Sequence, residues 1–131
     1  MKNASRRRVE RDLVRIAYIS TARAGLTGPD VEAIAAAART NNERDGLTGL
    51  LICQNARFYG ILEGPRRRVF ACMERIVIDP RHGGVEIILE TAIESRRFAS
   101  WVLSSLPGEA SAVGAALSGD AFMRNLTRRL R

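Results

Sequence analysis

Residues 47–65 read L-T-G-L-L-I-C-Q-N-A-R-F-Y-G-I-L-E-G-P, and the predicted fold is built around them. Apolar residues dominate segments 47–54 and 58–63, and Asn55-Ala56 forms a short turn between them. This pattern predicts two antiparallel strands joined as a hairpin. Gly64-Pro65 follows directly and opens a helix, because proline suits the first helical turn. A hairpin that passes at once into a helix is therefore the centre of the predicted fold.

A strand and a helix precede the hairpin. Residues 13–20, L-V-R-I-A-Y-I-S, carry apolar side chains on both alternating sets of positions, which indicates a central strand covered on both faces. Thr27 and Asp30 mark a helix start, and apolar residues then recur at helical spacing up to about Asn41. Residues 1–12 are predicted to be a basic N-terminal extension.

A second helix and two strands follow the hairpin. The helix ends at Asp79-Pro80, because the residue before a proline disfavours the helical backbone. Its buried stripe consists of Val69, Cys72, Met73, Ile76 and Val77. Segments 85–93 and 98–106 alternate as a fourth and a fifth strand. Residues 13–107 are then the sheet domain, and residues 108–131 are predicted to be a C-terminal helical cap made of two short helices.

The order of these elements, βαββαββ, predicts an α+β domain with a ferredoxin-like sheet. Both helices occupy crossover positions, so they are expected to pack on one face of the sheet. The short C-terminal helices are then free to cover the other face.

Composition excludes several classes of protein. The chain has 131 residues, and no apolar run approaches the roughly 20 residues of a membrane span. Cys53 and Cys72 lie in apolar stretches without metal-ligand spacing, which indicates buried free thiols in a cytoplasmic protein. The net charge is +7, but the arginine clusters lack interleaved aromatic residues for base stacking, which argues against nucleic-acid binding.

No catalytic constellation is apparent. The single histidine, His82, has no serine or cysteine nucleophile beside it in a recognisable motif. No glycine-rich phosphate loop and no metal-binding cluster follows from the spacing. The sequence therefore predicts neither an enzyme nor a metal site.

Polar residues at interior positions are more informative. Tyr18 shares a strand face with apolar residues, and Asn41 and Asn42 extend the apolar stripe of the first helix. Arg75 and Asp79 flank the stripe of the second helix, four residues apart. Each has a structural explanation: a core tyrosine, a helix C-cap at Asn42, and a surface ion pair between Arg75 and Asp79.

Together these groups indicate a ligand between the two helices. Each of these polar groups, if buried there without a hydrogen-bond partner, would reduce the stability of the fold by roughly 1–3 kcal/mol. A flat ligand with an edge of alternating donors and acceptors satisfies them, and a flavin has such an imide edge. Ile34, Ile76 and Phe58 are placed to sandwich its ring.

The chain resembles the BLUF family of flavin-binding blue-light sensors. The resemblance covers residues 13 to about 103, in family order and with family spacing. It is carried by the blocks L-V-R-I-A-Y-I-S, A-R-T-N-N-E-R-D-G-L-T-G-L-L-I, F-Y-G-I-L-E-G-P, M-E-R-I-V-I-D-P-R-H and R-R-F-A-S-W. It implies a ferredoxin-like fold that holds FAD, or FMN, between the two helices.

The resemblance also implies residue roles. Tyr18 matches the tyrosine that donates an electron to the excited flavin. Asn42 matches the asparagine that bonds the flavin imide edge, with Asn41 beside it. Arg75 and Asp79 match residues that contact the ring and the side chain of the flavin.

Three further positions match, and two depart from the family pattern. Arg81 and His82 match a pair near the ribityl chain and phosphate, and Trp101 matches the tryptophan of the fifth strand. The family's switch glutamine is replaced by Gly60, and the methionine after the tryptophan by Leu103. The photocycle is therefore expected to be impaired. Space left beside the flavin by Gly60 is expected to admit a water, and Gly60→Gln to restore some response.

The predicted function is a blue-light sensor domain that signals through protein contacts, with itself as a homo-oligomer or with a partner. The expected surface is the sheet face opposite the flavin together with Phe122, Met123 and Leu126. The alternative is a light-insensitive interaction module of the same fold, with or without flavin. A third hypothesis, a basic regulator associated with nucleic acid, predicts a steep loss of binding with salt.

Overall fold

The computed structural model describes residues 11–104. These residues form the predicted order βαββαββ. The elements are β1 (Leu13–Ala22), α1 (Gly28–Arg44), β2 (Thr48–Gln54), β3 (Arg57–Pro65), α2 (Arg66–Ile78), β4 (His82–Ile93) and β5 (Trp101–Ser104). Residues 1–10 of the predicted extension and the predicted C-terminal helical cap lie outside the described residues.

The five strands form one mixed sheet in the order β4-β1-β3-β2-β5. β1 pairs antiparallel with both β3 and β4, and β2 and β3 form the predicted hairpin. β5 pairs with β2 in parallel. The α+β, ferredoxin-like prediction is confirmed, and β1 is a central strand with neighbours on both sides.

The two helices pack on one face of the sheet. Val14 and Ile16 of β1 share a buried core cluster with Val69 and Met73 of α2 and Ala35 of α1. A second buried cluster lies on the opposite face. It contains Ala17, Ile19, Leu50, Ile52, Tyr59 and Ile61, each no more than 7% exposed. Both faces of β1 are thus buried, as its apolar pattern predicts.

Helix α1 begins as predicted and ends later than predicted. Thr27 Oγ1 accepts a hydrogen bond from the Asp30 N–H at 3.2 Å, and Asp30 Oδ2 accepts one from the Thr27 N–H at 2.9 Å. This reciprocal capping box fixes the first turn. The helix continues to Arg44, with Asp45 as its C-cap. Asn42 therefore lies inside the last turn, and its interpretation as a C-cap is wrong.

Glu63 of β3 binds groups from two other strands and from a loop. The sequence did not predict this role. The Glu63 carboxylate is fully buried and accepts hydrogen bonds from Arg15 Nε at 3.0 Å and from Arg15 Nη2 at 2.8 Å. Thr48 Oγ1 of β2 donates to it at 3.2 Å. The backbone N–H groups of Arg97 and Phe98 also donate to it, at 3.0–3.1 Å.

These contacts explain why β5 starts at Trp101 and not at residue 98. The backbone of Arg97 and Phe98 donates to the Glu63 carboxylate, so it does not continue the strand ladder. β4 starts at His82, earlier than the predicted residue 85, because its antiparallel pairing with β1 extends to the pair Ala22 and His82.

Candidate functional site

A cavity of about 260 Å³ lies between the helices and the sheet. Every side chain predicted to contact a ligand or to donate an electron lines it. These are Tyr18, Ile34, Asn41, Asn42, Phe58, Arg75, Ile76, Asp79, Arg81 and His82. Trp101 of β5 is 4% exposed and also lines the cavity, whereas Leu103 packs at the edge of the helix-side core.

Tyr18 lies in the middle of β1 and presents a protonated phenol to the cavity. It is buried, and within residues 11–104 its hydroxyl has no hydrogen-bond partner. Burial raises the pKa of Tyr18 above its ordinary value, and the negative charge of a Cys72 thiolate or of Asp79 would raise it further. The group is therefore a hydrogen-bond donor at neutral pH.

Asn42 brings an amide to the same space from the last turn of α1. It is 3% exposed, and its Oδ1 accepts a weak hydrogen bond from Cys72 Sγ at 3.5 Å. Its Nδ2 has no acceptor among the described residues. Asn41 beside it is half-buried and lines the cavity as well. The site thus holds buried donors that have no acceptor among residues 11–104.

The charged residues pair differently from the sequence-based prediction. Arg75 does not pair with Asp79. Its Nη2 lies 3.3 Å from Asp45, around which Arg44 and Arg68 also gather, at 3.1 and 3.6 Å. The i, i+4 ion pair is therefore wrong, because the C-terminal end of α1 brings a carboxylate closer to Arg75.

Asp79 pairs with Arg81 at the end of α2. Asp79 Oδ1 accepts hydrogen bonds from both the N–H and the Nε of Arg81, each at 2.9 Å. The hydrogen bond from the Arg81 side chain lowers the pKa of Asp79, so its carboxylate is ionised at neutral pH. Because both residues line the cavity, this pair gives one wall a fixed polar character.

His82 is held by hydrogen bonds at both ring nitrogens. Its Nε2 lies 2.6 Å from the Ile76 carbonyl, and its Nδ1 lies 2.6 Å from Ser20 Oγ. A carbonyl only accepts, so Nε2 carries a proton, and in the neutral ring Nδ1 accepts from the Ser20 hydroxyl. Phe58 packs edge-on to the ring, at 5.9 Å between centroids. His82 thus connects α2 to β1 at the wall of the cavity.

Gly60 lies directly under the ring of Tyr18. The two residues are partners in the β1–β3 register. A Cβ built on Gly60 would lie 2.2 Å from Tyr18 Cε2 and 2.6 Å from its hydroxyl oxygen. The space expected for a water is therefore filled by the tyrosine, and the close-packing explanation for this glycine holds.

The cavity fits a flavin ring in its chemistry. Apolar side chains from Ile34 and Ile76 face the same space as the unsatisfied donors of Tyr18 and Asn42. The cavity volume is slightly below the roughly 300–1,000 Å³ of small-molecule pockets. It suits the ring system of a flavin whose side chain extends outside the cavity.

Residues 11–104 contain neither a metal-binding cluster nor a membrane-spanning helix. No cluster of His, Cys, Asp and Glu in this part of the chain could hold a metal ion. None of its helices combines the length and the apolar character needed to cross a membrane.

Comparison with known proteins agrees with the geometry. Residues 13–104 match the family described as BLUF, sensors of blue-light using FAD. The chain is 34% identical over 98 residues to the photoactivated adenylate cyclase subunit beta of Euglena gracilis, covering 74% of this chain and 11% of that protein. The chain therefore spans about a tenth of the length of that relative.

Solved structures show the same fold. The dark-state structure of BlrB, a BLUF protein, is 31% identical, with a TM-score of 0.71 over 82% of this chain and 86% of that one. BlrP1 of Klebsiella pneumoniae, in a manganese and cyclic-di-GMP complex, has a TM-score of 0.77 at 24% identity, over 90% of this chain and 32% of that chain. The chain belongs to the BLUF family of flavin-binding blue-light sensor domains.

Proposed function

We propose that this chain binds FAD, or FMN, in the cavity between α1 and α2. The observation that carries the proposal is the set of buried donors at Tyr18 and Asn42 that have no acceptor within residues 11–104 and lie between apolar walls. Burying such donors unpaired costs roughly 1–3 kcal/mol each, and a flavin carbonyl would relieve that cost. Asn42 then holds the imide edge, with Asn41 beside it.

The remaining wall residues hold and orient the ligand in this proposal. Ile34 and Ile76 clamp the ring, and Phe58, braced by His82, closes one side. Arg75 and the Asp79–Arg81 pair supply the charged rim. A bound flavin supplies blue-light absorption and, once excited, an acceptor for one electron.

We further propose that the usual photocycle is impaired. Tyr18 is a buried phenol that can give up a proton only to a neighbouring acceptor. Gly60 offers no amide side chain for this, and the ring of Tyr18 covers the backbone at that residue. An electron that leaves Tyr18 for the excited flavin then returns to it, because no side chain relays the proton and so stabilises a switched state.

The output of the domain is proposed to run through protein contacts, in the cytoplasm. No catalytic constellation is visible in the described residues, and the related domains occur in larger proteins such as the cyclase subunit. The light-insensitive interaction module remains the second candidate, and Gly60 is the observation that favours it.

Flavin binding is tested with purified protein reconstituted with excess FAD and, separately, FMN. A flavin absorption band should remain after removal of free ligand. Asn42→Ala should weaken affinity by about 1–2 kcal/mol, because one buried hydrogen bond is lost. Glu43→Ala, an exposed neighbour on the same helix, is the matched control and should bind as the unmodified protein does. Protein that stays colourless with both flavins would sink the proposal.

The impaired photocycle is tested by comparing dark and illuminated spectra of the reconstituted protein. The two spectra should overlay, apart from slow photoreduction, because no side chain at residue 60 can exchange hydrogen bonds. A reversible red shift in the unmodified protein would show that another group performs the switch.

A further inference from the structure

Gly60 and Tyr18 pack more closely than two residues with side chains can. A Cβ at residue 60 would lie 2.2 Å from Tyr18 Cε2, 2.3 Å from Cζ and 2.6 Å from Oη. Carbon atoms in favourable contact stay about 3.5–4.0 Å apart. The tyrosine ring therefore rests on the bare backbone of β3.

Gly60 provides space and not an unusual backbone conformation. Its φ is not in the left-handed region, whereas Gly49 and Gly64 have φ values of +148° and +159°. An alanine at residue 60 would meet no backbone strain from a positive φ, and the three atoms nearest its Cβ all belong to the Tyr18 ring. Gly83 on β4 likewise lacks a positive φ, but nothing lies within 4 Å of its Cβ position. It is a matched control.

We infer that Gly60 is the positioning residue for Tyr18. Glycine lets the ring lie against β3, and any side chain at residue 60 displaces it. The sheet lies below the ring, so the volume open to a displaced ring is the cavity that Tyr18 lines. A residue-60 side chain and the Tyr18 ring in its present position thus overlap, so one of them has to move.

This overlap has a consequence for the ligand, which rests on the proposed flavin site. With glycine at residue 60, the phenol faces the ligand with no side chain in between. A larger residue would push the phenol into the volume that the ligand needs. Gly60→Gln therefore rebuilds a glutamine switch only when the Tyr18 ring moves away from β3, because the amide and the ring in its present position occupy the same space.

The packing step is tested without flavin, by thermal unfolding of Gly60→Ala in two backgrounds. With Tyr18 present the substitution should lower the midpoint. In a Tyr18→Val background it should raise the midpoint by roughly 3 °C, because alanine is preferred over glycine within a strand. Gly83→Ala should raise it in both backgrounds. An equal effect of Gly60→Ala in both backgrounds overturns the inference.

A second measurement covers the case in which Tyr18→Val does not fold. In a Tyr59→Phe background, fluorotyrosine labels Tyr18 alone, since the chain has two tyrosines. Gly60→Ala should shift the single fluorine resonance by more than its linewidth, and Gly83→Ala should not. An unmoved resonance contradicts a displaced ring.

The ligand step is tested by FAD and FMN affinity well below the unfolding temperature. Gly60→Ala should weaken binding about tenfold, the effect of overpacking the site by ~1.4 kcal/mol. Gly83→Ala should leave it unchanged. Unchanged affinity in Gly60→Ala overturns this step. Absence of flavin binding in the unmodified protein overturns the proposed function instead, and the unfolding result still decides the packing step.

Discussion

Tyr18 combines a reactive phenol with an environment that keeps it protonated. It lies on a central strand under two helices, and burial raises its pKa above the ordinary value of roughly 10. The folded chain therefore disfavours the phenolate, whereas the unfolded chain ionises normally. This difference links the ionisation of one residue to the stability of the fold.

The free energy of unfolding should fall above pH 10, and part of the fall should come from Tyr18. The native pKa is raised, so the unfolded state binds fewer protons above the ordinary pKa, and stability decreases as pH rises. At pH 11 the contribution is about 1 kcal/mol. Urea unfolding of the unmodified protein and of Tyr18→Phe at pH 8 and pH 11 measures it. Equal losses in both proteins would contradict this assignment.

For single residues, the periodicity of the sequence predicted the face on which a side chain lies, but not the residue that it contacts. Strand alternation put Tyr18 on the helix face, and helical spacing put Asn42 toward the sheet. The partner of Arg75 could not be predicted, because Asp45 lies 30 residues away and approaches only through the packing of α1 against α2. The Tyr18–Gly60 contact likewise depends on strand register, which one strand's sequence does not contain.

At the scale of elements, the Glu63 carboxylate joins β1, β2, β3 and the loop before β5. A buried ion pair with this many donors stabilises one arrangement of strands more than it adds net stability. The role of Glu63 could not be predicted beyond its place in a family block, because the sequence of one strand does not show which residues a glutamate in it contacts. The late start of β5 followed from the same contacts and was missed for the same reason.

Glu63→Gln should destabilise the chain by roughly 3 kcal/mol, because it removes the charge that compensates the buried Arg15 guanidinium. Urea unfolding followed by the fluorescence of Trp101, the single tryptophan, measures this and reports the end of the loop that Glu63 holds. Glu90→Gln, an exposed glutamate on β4, is the control and should change stability little. A loss below 1 kcal/mol for Glu63→Gln would show that the carboxylate is dispensable.

At the scale of the whole molecule, the distribution of apolar surface restricts where partners can bind. On the sheet face opposite the helices, the central residues of β1, β2 and β3 are buried. Large exposed apolar side chains in the described part occur at Val77 and Ile78 of α2, Ile87 of β4 and Val102 of β5. The expected contact residues Phe122 and Leu126 lie outside the described residues and stay a prediction.

Light scattering should show a species larger than a monomer, if the C-terminal segment mediates self-association. Phe122→Asp and Leu126→Asp should then reduce the mass toward that of one chain. Ile78→Ser changes a side chain that is 79% exposed on α2 and serves as the control. A strict monomer at high concentration, without a co-purifying partner, would count against this output route.

The position of β5 at the edge of the described sheet has a consequence for how long a ligand stays bound. Its described residues, Trp101–Ser104, pair with β2 and carry Trp101 to the cavity wall. Edge strands open locally at lower free energy than central ones. β1, with two neighbours, holds Tyr18 through such events. We therefore expect the cavity wall at β5 to open more often than β1, so that the residence time of the proposed flavin should follow the opening frequency of β5.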